Sequence, residues 1–318
     1  MVFKSLVVRA CTLGAVVLSM GGALGQNYPN KPVRIVTAEV GGGSDMVARP
    51  IAQDLTELLG KQVIVDNRGI LAIEVGSKAP PDGYTLILYG SPLWLLPFMR
   101  DNVPWDPVRD FLPITLAVTT PNILVVHPSL PVKSVRELIS LARARPGELN
   151  YAAGTIGSSP QLAAELFKFM AGVKIVRVAY KGTASSLTAL FSGEVQLLFP
   201  SAALVASHIK SGRLRALAVT TAQPSALVPG LPTVAASGLP GYEAVAIYGV
   251  FAPAKTPATI INYLNQEIVR VLNKPDVKRR FFNSGTEVVG SSPEQFADAI
   301  KSEMARMGKV FRDSGVRE

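Results

Sequence analysis

A chain of 318 residues, 48% of them hydrophobic, has material for two cores at roughly 100 to 200 residues per domain. One cysteine, Cys11, and two distant histidines, His127 and His208, exclude a disulfide framework and a His/Cys metal centre. The formal charge of +9 is spread along the chain, and its one tight cluster, Lys278, Arg279 and Arg280, reads as a solvated helix face. The charge therefore predicts no nucleic-acid partner and only weakly favours anionic small molecules.

Lys4 and Arg9 precede an apolar, small-residue run from Leu13 to Leu24, and Ala23-Leu24-Gly25 places small residues where a signal peptidase reads. The run is about 12 residues, short of the roughly 20 needed to cross a bilayer. Residues 1–25 are thus expected to be a signal peptide, with cleavage near Gln26 and export to the periplasm. Arg9, two residues before Cys11, argues against a lipid attachment site there.

Val33 to Ala38 reads as a strand, Gly41 to Gly43 as a tight turn, and Ser44 to Leu59 as a helix with Val47, Ile51, Leu55 and Leu58 on one face, stopped by Gly60. Pro50 inside it predicts a kink. Gln62 to Asp66 and Tyr84 to Tyr89 are further strands, and the alternation of β and α suits a parallel sheet. A second series runs strand Leu149 to Ala153, helix Pro160 to Met170, strand Ile175 to Ala179, helix Thr183 to Phe191, strand Val195 to Phe199, helix Ala202 to Ile209 and strand Arg215 to Thr220. The apolar segments Ile114 to Val126 and Ala244 to Ala252 flank this series and suit strands crossing between lobes. The chain closes with helices Ala258 to Leu272 and Pro293 to Arg312, the latter opened by a capping box of Ser292 and Gln295. The expectation is an α/β protein of two lobes hinged by two crossings: residues 26–121 and 243–318 in one, residues 122–242 in the other.

Two strand, glycine-turn, helix units stand out: Gly41 to Asp45 in the first lobe and Gly154 to Pro160 in the second. Ligands of open α/β sheets collect at such turns, where helix N-termini present unpaired N–H groups to an anion. Taken singly, each turn is better explained by glycine conformation and serine capping; the pairing of the two across lobes brings the anion-binding reading level with that one. Lys181, in the turn after Ala179, is a direct candidate partner for a ligand carboxylate or simply a solvated lysine. Enzyme motifs fail in detail. The third glycine of a dinucleotide fingerprint starting at Gly41 is replaced by Met46, no Walker sequence or Gly-x-Ser-x-Gly elbow occurs, and Ser207 to Lys210 lacks the companions of a penicillin-binding enzyme. An exported hydrolase using Ser91, Ser158 or Ser159 is the alternative, and it requires a general base within reach.

Several segments in fixed order resemble the substrate-binding proteins of tripartite tricarboxylate transporters, the Bug family. They are Tyr28-Pro29 with Lys31 to Arg34, Gly41-Gly42 with Asp45 and Ala48-Arg49, Asn67-Arg68, Pro81 to Thr85, Tyr180-Lys181-Gly182, Leu214 to Thr220, Leu231 to Val234 and Phe251-Ala252-Pro253. The resemblance implies a type II periplasmic binding fold, a clamshell that takes a small carboxylate largely through backbone N–H groups and passes it to a membrane permease or reports it to a sensor. It implies a monomer that needs no cofactor and performs no catalysis. Carried over by position, Gly42, Gly43, Ser44 and Asp45 are the first-lobe contacts and Gly154, Thr155, Ser158, Tyr180, Lys181 and Gly182 the second-lobe contacts, with Ser91 lining the pocket. The chain departs from the pattern in a shortened stretch from Gly69 to Pro80, in Glu39 before the first glycine turn, in Gln161 for a frequent histidine and in Pro200 for a frequent aspartate. Glu39, the short loop and Trp94 are therefore the expected selectivity elements, Trp94 being otherwise a core residue, with Glu39 pairing with Lys181 or meeting a ligand amine.

Overall fold

The computed structural model describes residues 28–314 apart from 155 and 181; the expected leader, Cys11 included, lies outside the described residues. In chain order the first elements are β1 (Val33–Thr37), α1 (Gly43–Leu59), β2 (Val63–Asn67), α2 (Leu71–Ser77), β3 (Thr85–Gly90), α3 (Pro92–Leu95) and β4 (Phe111–Pro121). The middle of the chain forms β5 (Ile123–Val126), α4 (Val135–Ala144), β6 (Asn150–Ala153), α5 (Ser159–Ala171), β7 (Val176–Ala179), α6 (Thr183–Ser192), β8 (Leu197–Leu198), α7 (Ala202–Lys210) and β9 (Arg215–Val219). It ends with β10 (Val245–Pro253), α8 (Ala258–Leu272), α9 (Pro275–Asn283), β11 (Glu287–Val288) and α10 (Pro293–Ser314).

These strands form two sheets, ordered β11-β4-β10-β3-β1-β2 and β7-β6-β8-β5-β9. The purely parallel sheet expected from the β/α alternation is corrected to a mixed one, on the same plan twice. In the first, β2, β1 and β3 are parallel, and β10 pairs antiparallel with both β3 and β4. In the second, β7, β6 and β8 are parallel, and β5 pairs antiparallel with both β8 and β9. The antiparallel strands flank the places where the chain passes between sheets. It leaves the first after Pro121 and enters the second at Ile123, then returns between β9 and β10. Thr220 ties the two passages together: its N–H donates to the Asn122 carbonyl at 3.0 Å, and its own carbonyl accepts from Ala244 N–H at 2.9 Å.

The apolar periodicity places the helices. Val47, Ile51 and Leu55 of α1 are buried against the sheet, and the helix runs through Pro50 without a break. α2 fills the stretch expected to be only a short loop, because Ala72 and Ile73 are buried beneath it. α10 begins with the expected capping box, Gln295 N–H donating to Ser292 Oγ and Ser292 N–H to Gln295 Oε1. Its buried Phe296, Ile300, Met307 and Phe311 pack on β4 and reach α5 of the other lobe, so one apolar core continues from lobe to lobe. The basic cluster is not wholly a solvated face: Arg280, together with Lys274 at 3.2 Å, clamps the buried Asp54 of α1 and locks the C-terminal helices onto that lobe.

Candidate functional site

A cleft of about 740 Å³ opens between the two sheets and is lined from both. Its walls are built by helix starts. The N-terminal residues of α1 (Gly43, Ser44), α5 (Ser159, Pro160), α6 (Ala184, Ser185) and α7 (Leu204) line it, as do the N-cap residues Gly42, Ser158, Gly182 and Ser201. None of these four caps closes its helix with a side-chain hydrogen bond. The first-turn N–H groups and the positive ends of four helix dipoles therefore face the same space. Among the described lining residues there is no lysine, arginine or histidine, and the one charged side chain is Glu39.

The first-lobe turn is held from behind. Gly41 has φ of 76°, a left-handed conformation that glycine adopts without strain, and its N–H donates to Asp45 Oδ2 at 2.9 Å. Gly42 N–H returns to the Glu39 carbonyl at 3.0 Å. Asp45 also accepts from Arg49 Nε at 3.0 Å and from Asn67 Nδ2 at 2.9 Å. Burial raises the Asp45 pKa, but these donors outweigh it and hold the carboxyl below its ordinary range. Asp45 is thus placed beneath the turn rather than on the cleft wall, where its carboxylate would repel an anion. Gly43 faces Tyr248 of β10 so closely that a β-carbon there would lie 2.0 Å from the phenol oxygen.

Ser91 lines the cleft, but its hydroxyl is already committed, donating to Glu303 Oε1 at 3.1 Å. The other Glu303 oxygen accepts from Trp94 Nε1 at 2.9 Å. Trp94 is fully buried and packs on Phe251 and Phe296. Its expected part in ligand selection is corrected: an indole with a buried hydrogen-bond partner is core. Burial raises the pKa of Glu303 above the glutamate range, and the Trp94 and Ser91 hydrogen bonds only partly offset this.

In the second lobe, Gly154, Ser158 and Gly182 line the cleft together. Gly154 and Gly182 approach so closely that a β-carbon on Gly154 would lie 3.4 Å from the Gly182 Cα. The hydroxyl of Ser158 and Nε2 of Gln161 are buried and have no hydrogen-bond partner among the described residues. Tyr180 does not line the cleft; its hydroxyl donates to Glu194 at 2.8 Å. Thr155 and Lys181 lie outside the described residues, and with them the expected pairing of Lys181 and Glu39.

Sequence reasoning missed the hinge wall. Thr120, Asn122, Ile247 and Tyr248 come from the crossing strands. Asn122 Nδ2 donates to Ser159 Oγ at 2.5 Å, and its backbone bridges Ser201, so one residue at a crossing touches the starts of α5 and α7. The signal available was Asn122 itself, a polar residue interrupting the apolar run Ile114 to Val126. Ser201, directly before the helix expected from Ala202, was a readable N-cap.

Residues 47–316 match the profile of the tripartite tricarboxylate transporter family receptor. The chain belongs to this family. Among curated relatives of the receptor, a UPF0065 protein from the tcbD-tcbE intergenic region of Pseudomonas sp. (strain P51) is 36% identical over 290 residues, 89% of this chain and 86% of the relative. Protein BugT of Bordetella pertussis is 34% identical, covering 91% of each chain. Among solved structures, Rpa4515 of R. palustris with adipate has a TM-score of 0.82 at 36% identity, covering 91% of this chain and 98% of its own. MatC of Rhodopseudomonas palustris with bound malate has a TM-score of 0.78 at 27% identity, covering 89% and 99%. The receptor therefore has the two-domain fold of periplasmic solute-binding proteins.

Proposed function

We propose that this receptor captures a small carboxylate in the periplasm and hands it to the permease of a tripartite tricarboxylate transporter. One observation carries the reading: four uncapped helix N-termini from two lobes converge on one cleft in which the Ser158 hydroxyl is buried without a partner among the described residues. Partial positive charge, free N–H donors and an idle hydroxyl make a seat for a carboxylate that uses no basic side chain among the described residues. Malate and adipate in the similar structures are both carboxylates. Gly42, Gly43 and Ser44 supply the first-lobe half, and Gly154, Ser158 and Gly182 the second. Asp45 shapes the first half from beneath.

The lobes divide at the two crossings, residues 26–121 and 243–318 against residues 122–242, and a leader over residues 1–25 directs export. The receptor acts as a monomer and binds rather than transforms. Serines are abundant in the cleft, but His127 bonds Ser129 and His208 meets the Phe191 ring edge-on, and neither histidine lines it. Closure of the lobes on the ligand follows from donors contributed by both, since the ligand stabilises the state in which both reach it. Calorimetric titration with malate, succinate, adipate and hexanoate, each beside its uncharged amide, tests the reading. At least one acid is expected to bind at one site per chain and its amide not to bind; binding of amides as tight as that of acids would refute it.

A further inference from the structure

The cleft is electrostatically lopsided. One wall is positive from helix termini, while Glu39 sets a full negative charge on the same lobe, at the end of β1 and at the edge of the α1 turn. The Glu39 carboxyl carbon would lie 3.7 Å from a β-carbon on Gly42, so the charge stands beside the turn that presents Gly42 and Gly43. It is nevertheless not spent on that turn: only the Glu39 backbone carbonyl accepts from Gly42 N–H. No ion pair or side-chain hydrogen bond engages the Glu39 carboxylate among the described residues, and it is exposed to the cleft.

The surroundings of Glu39 suit a cation. Tyr89 and Tyr248 line the same cleft, and neither phenol brings a positive charge that could pair with the acid. Both phenols are near enough to feel Glu39: burial first and its negative charge second raise their pKa, that of Tyr248 to about 12. A neutral tyrosine pair beside an unpaired carboxylate leaves the acid to find its counter-charge in the ligand. A second carboxylate placed there would meet like charge with no described basic group to offset it.

We infer that the ligand of this receptor is a zwitterion, its carboxylate seated on the helix N-termini and a protonated nitrogen facing Glu39. This rests on the carboxylate reading above and adds the chemistry of the ligand's other end. Selectivity then comes from two opposite fields a few ångströms apart: the helix termini choose the acid, and Glu39 chooses between an amine and a second acid.

The test is a set of matched probes titrated calorimetrically into the intact receptor: hexanoate, adipate, 6-aminohexanoate and 2-aminohexanoate, then butanoate, succinate and 4-aminobutanoate. The best amino acid of the set is expected to bind about tenfold more tightly than the dicarboxylate of its chain length. Glu39→Gln should bring that ratio towards one, and Glu39→Lys should reverse it. The side chain is exposed, so both variants are expected to fold, which circular dichroism checks. A dicarboxylate that binds as tightly as its amino counterparts, or a ratio unchanged in Glu39→Gln, overturns the inference while the carboxylate reading stands. Failure of every probe, monocarboxylates included, overturns both.

Discussion

The Tyr248 phenol of β10 rests directly on Gly43 at the start of α1, leaving no room for a β-carbon, which would lie 2.0 Å from the oxygen and 2.6 Å from Cζ. One residue comes from the strand that crosses between lobes and the other from the turn that lines the cleft, so the contact sets the position of that turn against the hinge. Gly43→Ala is expected to destabilise the receptor by about 1–3 kcal/mol through overpacking. Tyr248→Ala in the same chain should recover part of the loss, a coupling of about 1 kcal/mol or more in a double-mutant cycle by chemical denaturation. Additive effects would mean that the two residues are not in contact.

Ser158 leads to the opposite expectation. Its hydroxyl is buried and has no partner among the described residues, so Ser158→Ala removes a group that is already paying its desolvation cost. The unliganded variant should match or slightly exceed the wild type in thermal stability, within about 1 kcal/mol. A clear loss of stability would mean that the hydroxyl serves the fold.

Asp45 tests the support beneath the first turn. Its folded pKa is lowered, so its contribution to stability is present above the ordinary aspartate value, near pH 4, and is lost as the pH falls through the folded value. Asp45→Asn should cost about 2 kcal/mol at pH 7, because an amide cannot accept all the hydrogen bonds from Gly41, Arg49 and Asn67. The gap between variant and wild type should narrow at pH 3. A gap that is constant with pH would remove the charge from the explanation.

Glu303 has the reverse sign. Its folded pKa is raised, so the stability it lends is full below the ordinary glutamate range and is lost as the pH rises through the folded value. Glu303→Gln can still accept from Trp94 and meet Ser91, and it cannot ionise. It should gain on the wild type as the pH goes from 5 to 8, measured by melting temperature. A gain that does not grow with pH would show that the carboxyl is ionised throughout.

The fold was largely legible because its signals are local. Val47, Ile51 and Leu55 announce α1, Ser292 and Gln295 announce α10, and the apolar runs from Ile114 and Ala244 announce the crossings. The antiparallel pairing of β10 with β3 and β4 was not legible, since partners such as Tyr248 and Val118 lie far apart in the chain and nothing in either segment names the other. At the site, the glycine turns were readable by composition, while their depth was not. Asp45 reads as a wall residue from its place in the motif, and only the donors from Arg49 and Asn67 turn it beneath the floor. Trp94 reads as core or pocket from the sequence, and Glu303, 209 positions later, decides for core by accepting its hydrogen bond. Asn122 gained its importance only when two helix starts folded onto it.

The central claim is that one carboxylate is gripped from both lobes, and it is tested most directly by titrating a bound acid into the wild type, Gly43→Ala and Ser158→Ala by calorimetry. These substitutions lie on opposite walls of the cleft. Each should weaken the same one-to-one event by about tenfold: Ser158→Ala by removing a hydroxyl that meets a charged group, and Gly43→Ala because its β-carbon collides with Tyr248 and moves the turn that carries the N–H donors. An acid whose affinity drops in only one of the two variants, or in neither, would contradict a ligand bridging the lobes.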